Sequence, residues 1–245
     1  MVRTARERSV ALALLSEGRS SIAAARLTGV PASTIREWAR QPLDVTHRRD
    51  CPCASPAIGD APAYAYLFGL YLGDGTVSRA GRTWRLRIFQ DAGYPALVVE
   101  IASAMTRVVP ERRVSVVTRG TDTGRGCAVV SSYARHWLCL FPQHGPGRKH
   151  ERAIELVPWQ QQIVDQHAEL FIRGLLHSDG CRVTNKVGSR HYPRFLFSNR
   201  SADIRGILCR SLEHLGIPYR SSGHTISIAT ADGVARLDAF VPQKA

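Results

Sequence analysis

The sequence is short of lysine, of acidic residues and of long apolar segments. Lysine occurs only at Lys149, Lys186 and Lys244. No apolar run reaches the roughly 18 residues that a membrane-spanning helix requires, so we expect no membrane association. The six cysteines are scattered, and the N-terminus lacks the apolar core of a signal peptide. We therefore expect a cytoplasmic protein with reduced thiols.

The shortage of acids leaves the chain strongly basic. Only 20 Asp and Glu stand against 33 Lys and Arg, which gives a net charge of +13. Such a chain is expected to bind a polyanion, because each neutralised phosphate releases condensed counterions. Most of the basic residues are arginines, which contact phosphate or guanine through two hydrogen bonds. A GC-rich genome favours arginine over lysine but does not explain the missing acids, so we expect double-stranded DNA as the partner and a nucleoid-associated location.

Residues 1–42 are predicted to form a small domain of three helices, over 4–17, 22–27 and 33–40. Gly29 lies in the turn between the last two helices, which gives a helix-turn-helix pattern. The expected core consists of Ile22, Ala25, Val30, Ile35 and Trp38. The polar side of the third helix offers DNA-binding candidates, namely Ser33, Thr34, Arg36 and Arg40. An ordinary three-helix bundle is the alternative.

Two segments contain clusters of residue types that can bind zinc. Residues 43–62 read as a linker, in which His47, Cys51 and Cys53 lack an evident fourth ligand for zinc. A second group comprises His136, Cys139, His144 and His150 in a region rich in Gly and basic residues. We interpret that second region as a basic loop over the DNA backbone, with a zinc site as the alternative.

Residues 63–245 contain an internal repeat, over 63–157 and 166–245. Each copy opens with an apolar helix that ends in Gly-Leu-x-x-x-Asp-Gly, at 69–75 and 174–180. Before the Asp, the first copy has Gly73 and the second has Ser178. The hydrophobic pattern after each helix predicts strand, strand, helix, strand, strand and helix. The predicted strands lie at 76–78, 84–90, 113–117 and 128–131, then at 182–186, 194–198, 218–220 and 225–228; the predicted helices lie at 95–108 and 133–140, then at 202–215 and 231–240. The connection is expected to be helical near 159–164. The order is therefore αββαββα, twice, in an α+β fold.

The two repeated helix ends carry small residues and an acid. Gly69 and Gly73 are four residues apart, as are Gly174 and Ser178, so each pair lies on one helix face. Small residues there allow two helix backbones to approach closely, and we assign all four to a helix interface. Gly75 and Gly180 are expected to adopt the left-handed conformation of a helix end.

Asp74 and Asp179 stand where a helix least favours a carboxylate, because the dipole already places negative charge at its C-terminus. Two such helices packed together would bring both carboxylates near one another. A divalent cation between them would remove the repulsion and create a site for phosphodiester hydrolysis.

Both motifs resemble the paired helices of LAGLIDADG homing endonucleases in the single-chain, two-motif form, and the match runs over 67–75 and 172–180. The resemblance implies a monomer that acts as a pseudo-dimer, with arginine-rich antiparallel sheets along the major groove. It implies Mg²⁺ or Mn²⁺ bound by Asp74 and Asp179, with Gly73 and Ser178 contributing to the metal set. A helix-turn-helix is not part of the free-standing enzymes. The absence of a splicing nucleophile and of a terminal His-Asn pair predicts that the chain is not an intein.

Further site residues follow from the same resemblance. Gln90 is a candidate for organising solvent, with Ser198 or Asn199 as its counterpart, and Lys149 and Lys186 are candidates for the basic catalytic residue. His177 is either a neighbour of the metal ligands or an ordinary interface residue. The candidates for DNA contact on the strands are Arg79, Arg82, Arg85, Arg87, Arg182 and Arg194; a solvated edge is the alternative for each.

The sequence therefore predicts a Mg²⁺-dependent, sequence-selective DNA endonuclease with an accessory helix-turn-helix. Some sporulation regulators join a similar domain to a helix-turn-helix and bind DNA without cutting it. A non-cleaving transcriptional regulator is accordingly the alternative. A third possibility is a structural protein whose basic surface contacts RNA or acidic protein.

Overall fold

The computed structural model describes residues 5–40, 58–120 and 126–244. The chain divides into two compact units. The first comprises Met1–Pro52 and Gly145–Ala153, and the second comprises Cys53–His144 and Ile154–Ala245. The predicted linker, 43–62, falls largely outside the described residues.

The first unit contains the three predicted helices. They are α1 (Ala5–Ser16), α2 (Ser21–Thr28) and α3 (Ala32–Arg40). The Ser20 hydroxyl caps α2 by accepting from the Ala23 N–H, and Gly29 ends it with a φ of 68°, a left-handed conformation that suits glycine. The unit also holds a 3₁₀ turn, Lys149–Glu151.

The small core of the first unit differs from the predicted one. Ala11, Ala24, Val30 and Ile35 are buried, with Leu14, Leu15, Ala25 and Trp38 packed against them. The prediction that Ile22 belongs to this core was wrong, since its side chain is 60% exposed. In the single short helix α2, the inward position is taken by Ala24, and Ile22 lies on another face.

The second unit contains two copies of the predicted order. The first copy comprises α4 (Ala61–Asp74), β1 (Gly75–Ala80), β2 (Thr83–Asp91), α5 (Pro95–Val108), β3 (Val114–Arg119), β4 (Cys127–Ala134) and α6 (Trp137–Leu140). Helix α7 (Pro158–Gln166) connects the copies. The second copy comprises α8 (Ala168–Asp179), β5 (Gly180–Val187), β6 (Arg190–Ser198), α9 (Ala202–His214), β7 (Arg220–Ser222), β8 (Thr225–Ile228) and α10 (Ala231–Phe240).

Each copy forms a four-stranded antiparallel sheet with the same topology. The strand orders are β1-β2-β4-β3 and β5-β6-β8-β7. The register is equivalent too, because the first residue of β1, Gly75, pairs with Ile88 and the first residue of β5, Gly180, pairs with Phe197. Positions two residues beyond Ile88 and Phe197 are therefore related by the internal symmetry.

The first helix of each copy, α4 and α8, forms the centre of the core. The ten consecutive residues 63–72 of α4 are buried, because the helix meets sheet, helix and partner helix on all sides. Tyr64, Phe68, Tyr71 and Phe141 stack in one aromatic cluster. In the strands, successive side chains alternate between the two faces of the sheet. Leu86 and Ile88 of β2 therefore face the helices, while Arg85 and Arg87 face away.

The end of the first copy differs from the prediction of a helix over 133–140. Strand β4 continues to Ala134, and α6 is one turn long. The Trp137 indole N–H donates to the Ser132 carbonyl at 3.0 Å, which ties this turn to the strand. In the described ranges, 5–40, 58–120 and 126–244, we find no helix with the length and apolar character needed to cross a bilayer.

Candidate functional site

Helices α4 and α8 touch through their backbones. A Cβ built on Gly69 would lie 2.9 Å from the Gly174 Cα and 2.8 Å from the Leu175 backbone nitrogen. A Cβ built on Gly174 would lie 3.1 Å from the Gly69 Cα. Real side chains do not approach this closely, so glycine at both positions is what permits the two helices to meet.

The contact continues to the acidic ends of the helices. A Cβ built on Gly73 would lie 2.5 Å from the Ser178 Cβ and 3.0 Å from Oδ2 of Asp179. The carboxylate of one helix therefore lies against the last turn of the other. Since Asp74 directly follows Gly73, the structure brings the two acidic helix ends together.

The glycines that follow the acids are not left-handed, so that prediction was wrong. Gly75 has φ −89° and ψ 152°, and Gly180 has φ −102° and ψ 159°, both of which are extended. Glycine is needed there for space. A Cβ on Gly75 would lie 2.9 Å from the Ile88 Cδ1, and one on Gly180 would lie 2.6 Å from the Leu176 Cα, because each chain passes directly from helix into strand.

Asn199 is the polar residue next to the second acid. Its Nδ2 donates to Oδ2 of Asp179 at 2.6 Å, and its Oδ1 accepts from the Ser201 N–H at 2.8 Å, which fixes the orientation of the amide. Ser198 is instead exposed and pairs with the Thr225 hydroxyl at 3.0 Å. Of the two predicted counterparts of Gln90, the structure brings Asn199 to the acid.

Gln90 occupies the symmetry-related position in the first copy. It lies two residues beyond Ile88, as Asn199 lies two residues beyond Phe197. Gln90 is buried, and among the described residues its Oε1 has no hydrogen-bond partner. A buried carbonyl oxygen without a partner is costly unless a ligand or water satisfies it. The two carboxylates, and an orphaned oxygen at the position that internal symmetry relates to Asn199, offer oxygen donors only, and oxygen is the ligand that a hydrated divalent cation such as Mg²⁺ prefers.

Lys244 brings a positive charge to the same place. From the C-terminal tail, its Nζ donates to the carbonyl oxygens of Ser178 at 3.2 Å and Gly180 at 2.8 Å. Burial lowers the pKa of Lys244, while the charges of Asp74, Cys181 and Asp179 oppose that lowering. The positive charge of Lys244 therefore lies within electrostatic range of both acids.

Of the two lysines predicted for the basic role, the one in the second unit lies away from the two acids. Lys186 is exposed near the far end of β5, and it pairs with His191 close to the β5–β6 turn. It is six residues beyond Gly180, roughly 20 Å along an extended strand. Lys149 belongs to the 3₁₀ turn of the first unit. Sequence reasoning missed Lys244 because a short tail has no periodicity; its only signal was that lysine is rare in this chain.

His177 anchors the tail that carries Lys244. The Tyr66 hydroxyl donates to its Nδ1 at 2.9 Å, and its Nε2–H donates to the Pro242 carbonyl at 3.2 Å. Burial lowers the pKa of His177 to about 4, and the bond to Pro242 opposes this lowering. The imidazole is therefore neutral near pH 7, with the proton on Nε2.

The outer face of the first sheet is basic and partly aromatic. The Arg85 guanidinium donates to the Ser131 hydroxyl at 2.9 Å and lies over the Tyr133 ring. The Arg87 guanidinium donates to the Ser78 hydroxyl at 3.3 Å and lies over the Phe89 ring. Arg79 and Arg82 are exposed at the β1–β2 turn. Packing against rings and strands holds these side chains in position on an open face.

The two arginines predicted on the second sheet lie on opposite faces. Arg194 pairs with Val183 on the outer face. Arg182 instead shares the inner face with Phe195, and it forms two hydrogen bonds with Asp238 of α10, at 2.7 and 2.8 Å. The ion pair occupies its guanidinium, so Arg182 is not part of the outer surface.

In the first unit, Ser33 and Arg36 are exposed on α3 and Thr34 is half-buried. The Nε of Arg36 donates to the Ala32 carbonyl at 3.2 Å. The side chain of Arg40 lies outside the described residues. Exposed polar groups on one side of this helix are compatible with a groove-reading role.

The suggested zinc sites gain no support from the structure. His47, Cys51 and Cys53 lie outside the described residues. Within the part of the chain that is described, no three His, Cys, Asp or Glu side chains group as a metal site. His144 packs edge-on against Trp84, with ring centroids 5.4 Å apart.

Comparison with solved structures finds similarity to homing endonucleases. The homing endonuclease I-WcaI, bound to its DNA recognition sequence, matches with a TM-score of 0.50 at 11% identity, over 80% of this chain and 85% of that one. An I-DmoI variant with nicked target DNA and Mn gives a TM-score of 0.47 at 16% identity, over 74% and 95%. The LAGLIDADG meganuclease I-AabMI, bound to uncleaved DNA, gives 0.43 at 11%, over 74% and 84%. No family model and no curated protein matches the sequence.

The likeness to I-WcaI confirms the predicted fold. The second unit has a tandem αββαββα architecture with two four-stranded antiparallel sheets, and it shares this fold with the homing endonuclease I-WcaI.

Proposed function

We propose that the protein is a sequence-selective, metal-dependent DNA endonuclease that works as a monomer with two pseudo-symmetric halves. The observation that carries this proposal is the meeting of two acidic helix ends, where the Asp179 carboxylate lies against Gly73, the residue before Asp74. The net charge of +13 supports a nucleic-acid substrate. A protein with this function works on the nucleoid, which is the location we propose.

Asp74 and Asp179 are the residues that would hold Mg²⁺ or Mn²⁺, with Gly73 and Ser178 completing the set through backbone oxygens. Glycine has no other oxygen, and the Ser178 hydroxyl already donates to the Leu175 carbonyl at 2.9 Å. The bound cation would supply charge stabilisation at the phosphate and a more acidic water. Asn199 orients Asp179, and Gln90 offers its buried oxygen to solvent at the equivalent place in the other half.

The outer faces of the two sheets are the proposed DNA-binding surfaces. Arg85 and Arg87 on the first sheet and Arg194 on the second face away from the core. Each guanidinium can reach a phosphate or a base edge in the major groove. Ser33, Thr34, Arg36 and Arg40 of the helix-turn-helix extend the recognised site in this proposal.

The test is cleavage of a randomised duplex library in Mg²⁺ or Mn²⁺, followed by sequencing of the new ends. We expect cuts within a defined sequence in the wild-type reaction and none in EDTA. Asp74→Asn and Asp179→Asn keep the side-chain shape and remove the charge. We expect both variants to bind the selected duplex as well as the wild type does, without cutting it.

A non-cleaving regulator gives a different result. It would select a duplex sequence with the usual steep salt dependence but produce no new ends in either metal. Failure to bind any duplex would instead support the third alternative, a protein whose basic surface contacts RNA or acidic protein.

A further inference from the structure

The C-terminal tail of this chain docks beside the two acids. Val241 is buried, and the Pro242 carbonyl accepts the Nε2–H of His177. Two residues further on, the half-buried Lys244 directs its ammonium to the Ser178 and Gly180 carbonyls. Three successive contacts therefore fix a segment that carries no regular secondary structure.

The ammonium occupies a place that favours any cation. The C-terminus of α8 carries the negative end of the helix dipole, and the carboxylates of Asp74 and Asp179 add their charges. One of the two carbonyls that bind the ammonium is that of Ser178, the backbone oxygen assigned above to the metal set. A carbonyl that accepts from the ammonium is not available in the same way to a metal ion.

We propose that Lys244 is a further residue of the site, a built-in cation that holds part of the metal position and must be displaced when a divalent ion binds. The tail thereby stabilises the two acids in the metal-free protein and lowers the affinity for the metal. His177 is a positioning residue in this arrangement, since it acts on Lys244 only through the Pro242 carbonyl. This inference rests on the proposed metal site but not on cleavage.

The test is calorimetric titration of the full chain with Ca²⁺, without DNA. Ca²⁺ prefers the same oxygen ligands and leaves cleavage out of the measurement. The variants are Lys244→Met and Lys244→Gln, which remove the charge, and Lys244→Arg, which keeps it. Arg210→Met is the matched control, because it removes one positive charge from an exposed position on α9.

We expect Lys244→Met and Lys244→Gln to bind Ca²⁺ about tenfold more tightly than the wild type, because the competing charge at the Ser178 carbonyl is gone. We expect Lys244→Arg and Arg210→Met to stay within about threefold of the wild type. Without metal, the two neutral variants should melt at a lower temperature than the wild type, and saturating Ca²⁺ should remove most of that difference.

A second pair of variants tests the role of the anchor. His177→Phe removes the donor to Pro242, whereas His177→Gln keeps a side-chain N–H. We expect His177→Phe to raise the Ca²⁺ affinity as Lys244→Met does, and His177→Gln to raise it less. A double variant, Lys244→Met with His177→Phe, should show no further gain in affinity if both act through the same ammonium.

The outcomes separate the two proposals. Equal Ca²⁺ affinities for the wild type and Lys244→Met, with both binding, would overturn the built-in cation and leave the metal site intact. Weaker binding by Lys244→Met would also overturn it, since the lysine would then assist the metal. If no variant binds Ca²⁺, the proposed metal site fails and the inference fails with it.

Discussion

Gly69 and Gly174 face each other across the central helix pair, and each backbone occupies the space that a side chain on the other would need. This contact allows the backbones of the two helices to approach closely. One turn further along the same face, Gly73 meets Ser178 and Asp179. The distance between the acidic helix ends is therefore set by glycines, which carry no reactive side chain.

Gly69→Ala is expected to destabilise the protein. The new methyl would lie 2.8 Å from the Leu175 nitrogen, and this neighbour is backbone that cannot turn aside. We expect a loss of about 3 kcal/mol in the free energy of unfolding, at the upper end of overpacking effects, measured by urea denaturation. Any folded fraction should also cleave poorly, because the helices are forced apart.

Gly59→Ala is the matched control for that prediction. A Cβ at Gly59 meets no atom within 4 Å, and the residue does not have a left-handed backbone. We expect its stability to stay within about 0.5 kcal/mol of the wild type. Equal effects of the two substitutions would mean that close helix contact does not explain the glycine at position 69.

Asp60 gives a pH-dependent prediction at the start of α4. Burial tends to raise its pKa, but the N–H of Ala63, the Arg107 guanidinium and the charge of His167 lower it overall. A lowered folded pKa means that the carboxylate stabilises the protein above its unfolded pKa near 3.8, and that this contribution is lost as the pH falls through the folded value.

Asp60→Ala is therefore expected to cost about 1 kcal/mol at pH 7, typical of a lost helix cap. The difference from the wild type should shrink at pH 3. Asp60→Asn keeps a good cap without the charge, so it should lie between the two at pH 7. Urea denaturation at both pH values is the measurement, and a difference for Asp60→Ala that is unchanged at pH 3 would contradict the assignment.

How much of this could be predicted from the sequence depends on the range of the interactions involved. The repeats were predictable because Gly69, Asp74 and their counterparts form a local motif. Helix periodicity alone places the residues of this motif on one face and at the helix end. The pairing of Arg182 could not be predicted because its partner, Asp238, is 56 residues away. Lys244 was missed for the same reason, since a tail acquires its position only from the surface on which it docks. Gly75 and Gly180 were predicted at the right places for the wrong cause.

Arg87 and Arg182 provide a test of which arginines contact DNA. Arg87 lies on the outer face of the first sheet, whereas Arg182 is paired with Asp238 on an inner face. We expect Arg87→Gln to weaken duplex binding and to reduce the slope of log affinity against log salt by about one, the contribution of one phosphate contact. Fluorescence anisotropy over a range of KCl concentrations measures the slope.

Arg182→Gln is expected to leave that salt slope unchanged. It should instead lower stability slightly, because a partly exposed ion pair contributes little. The assignment of the outer faces to DNA would be wrong if Arg182→Gln reduced the slope and Arg87→Gln did not.

Gln90 and Asn199 occupy symmetry-related positions but differ in their hydrogen bonding, so their substitution should affect cleavage alike and stability differently. They occupy equivalent positions, so we expect Gln90→Leu and Asn199→Leu each to reduce cleavage by roughly 10–100-fold with duplex binding within about twofold, as for other residues that support metal ligands. Ser198→Ala is the control on the same strand, since that hydroxyl pairs with Thr225 and should not affect the rate.

Their effects on stability in metal-free buffer should have opposite signs. Asn199 donates to Asp179 at 2.6 Å, so Asn199→Leu leaves a half-buried carboxylate oxygen without that donor and should destabilise the protein by about 2 kcal/mol. The buried Oε1 of Gln90 has no partner among the described residues, so Gln90→Leu removes an unsatisfied group and should raise the melting temperature. If Gln90 costs stability, its presence is explained by a site that uses its oxygen to bind solvent or metal. Thermal melts in EDTA decide the point, and destabilisation by both substitutions would mean that Gln90 serves the fold and not the site.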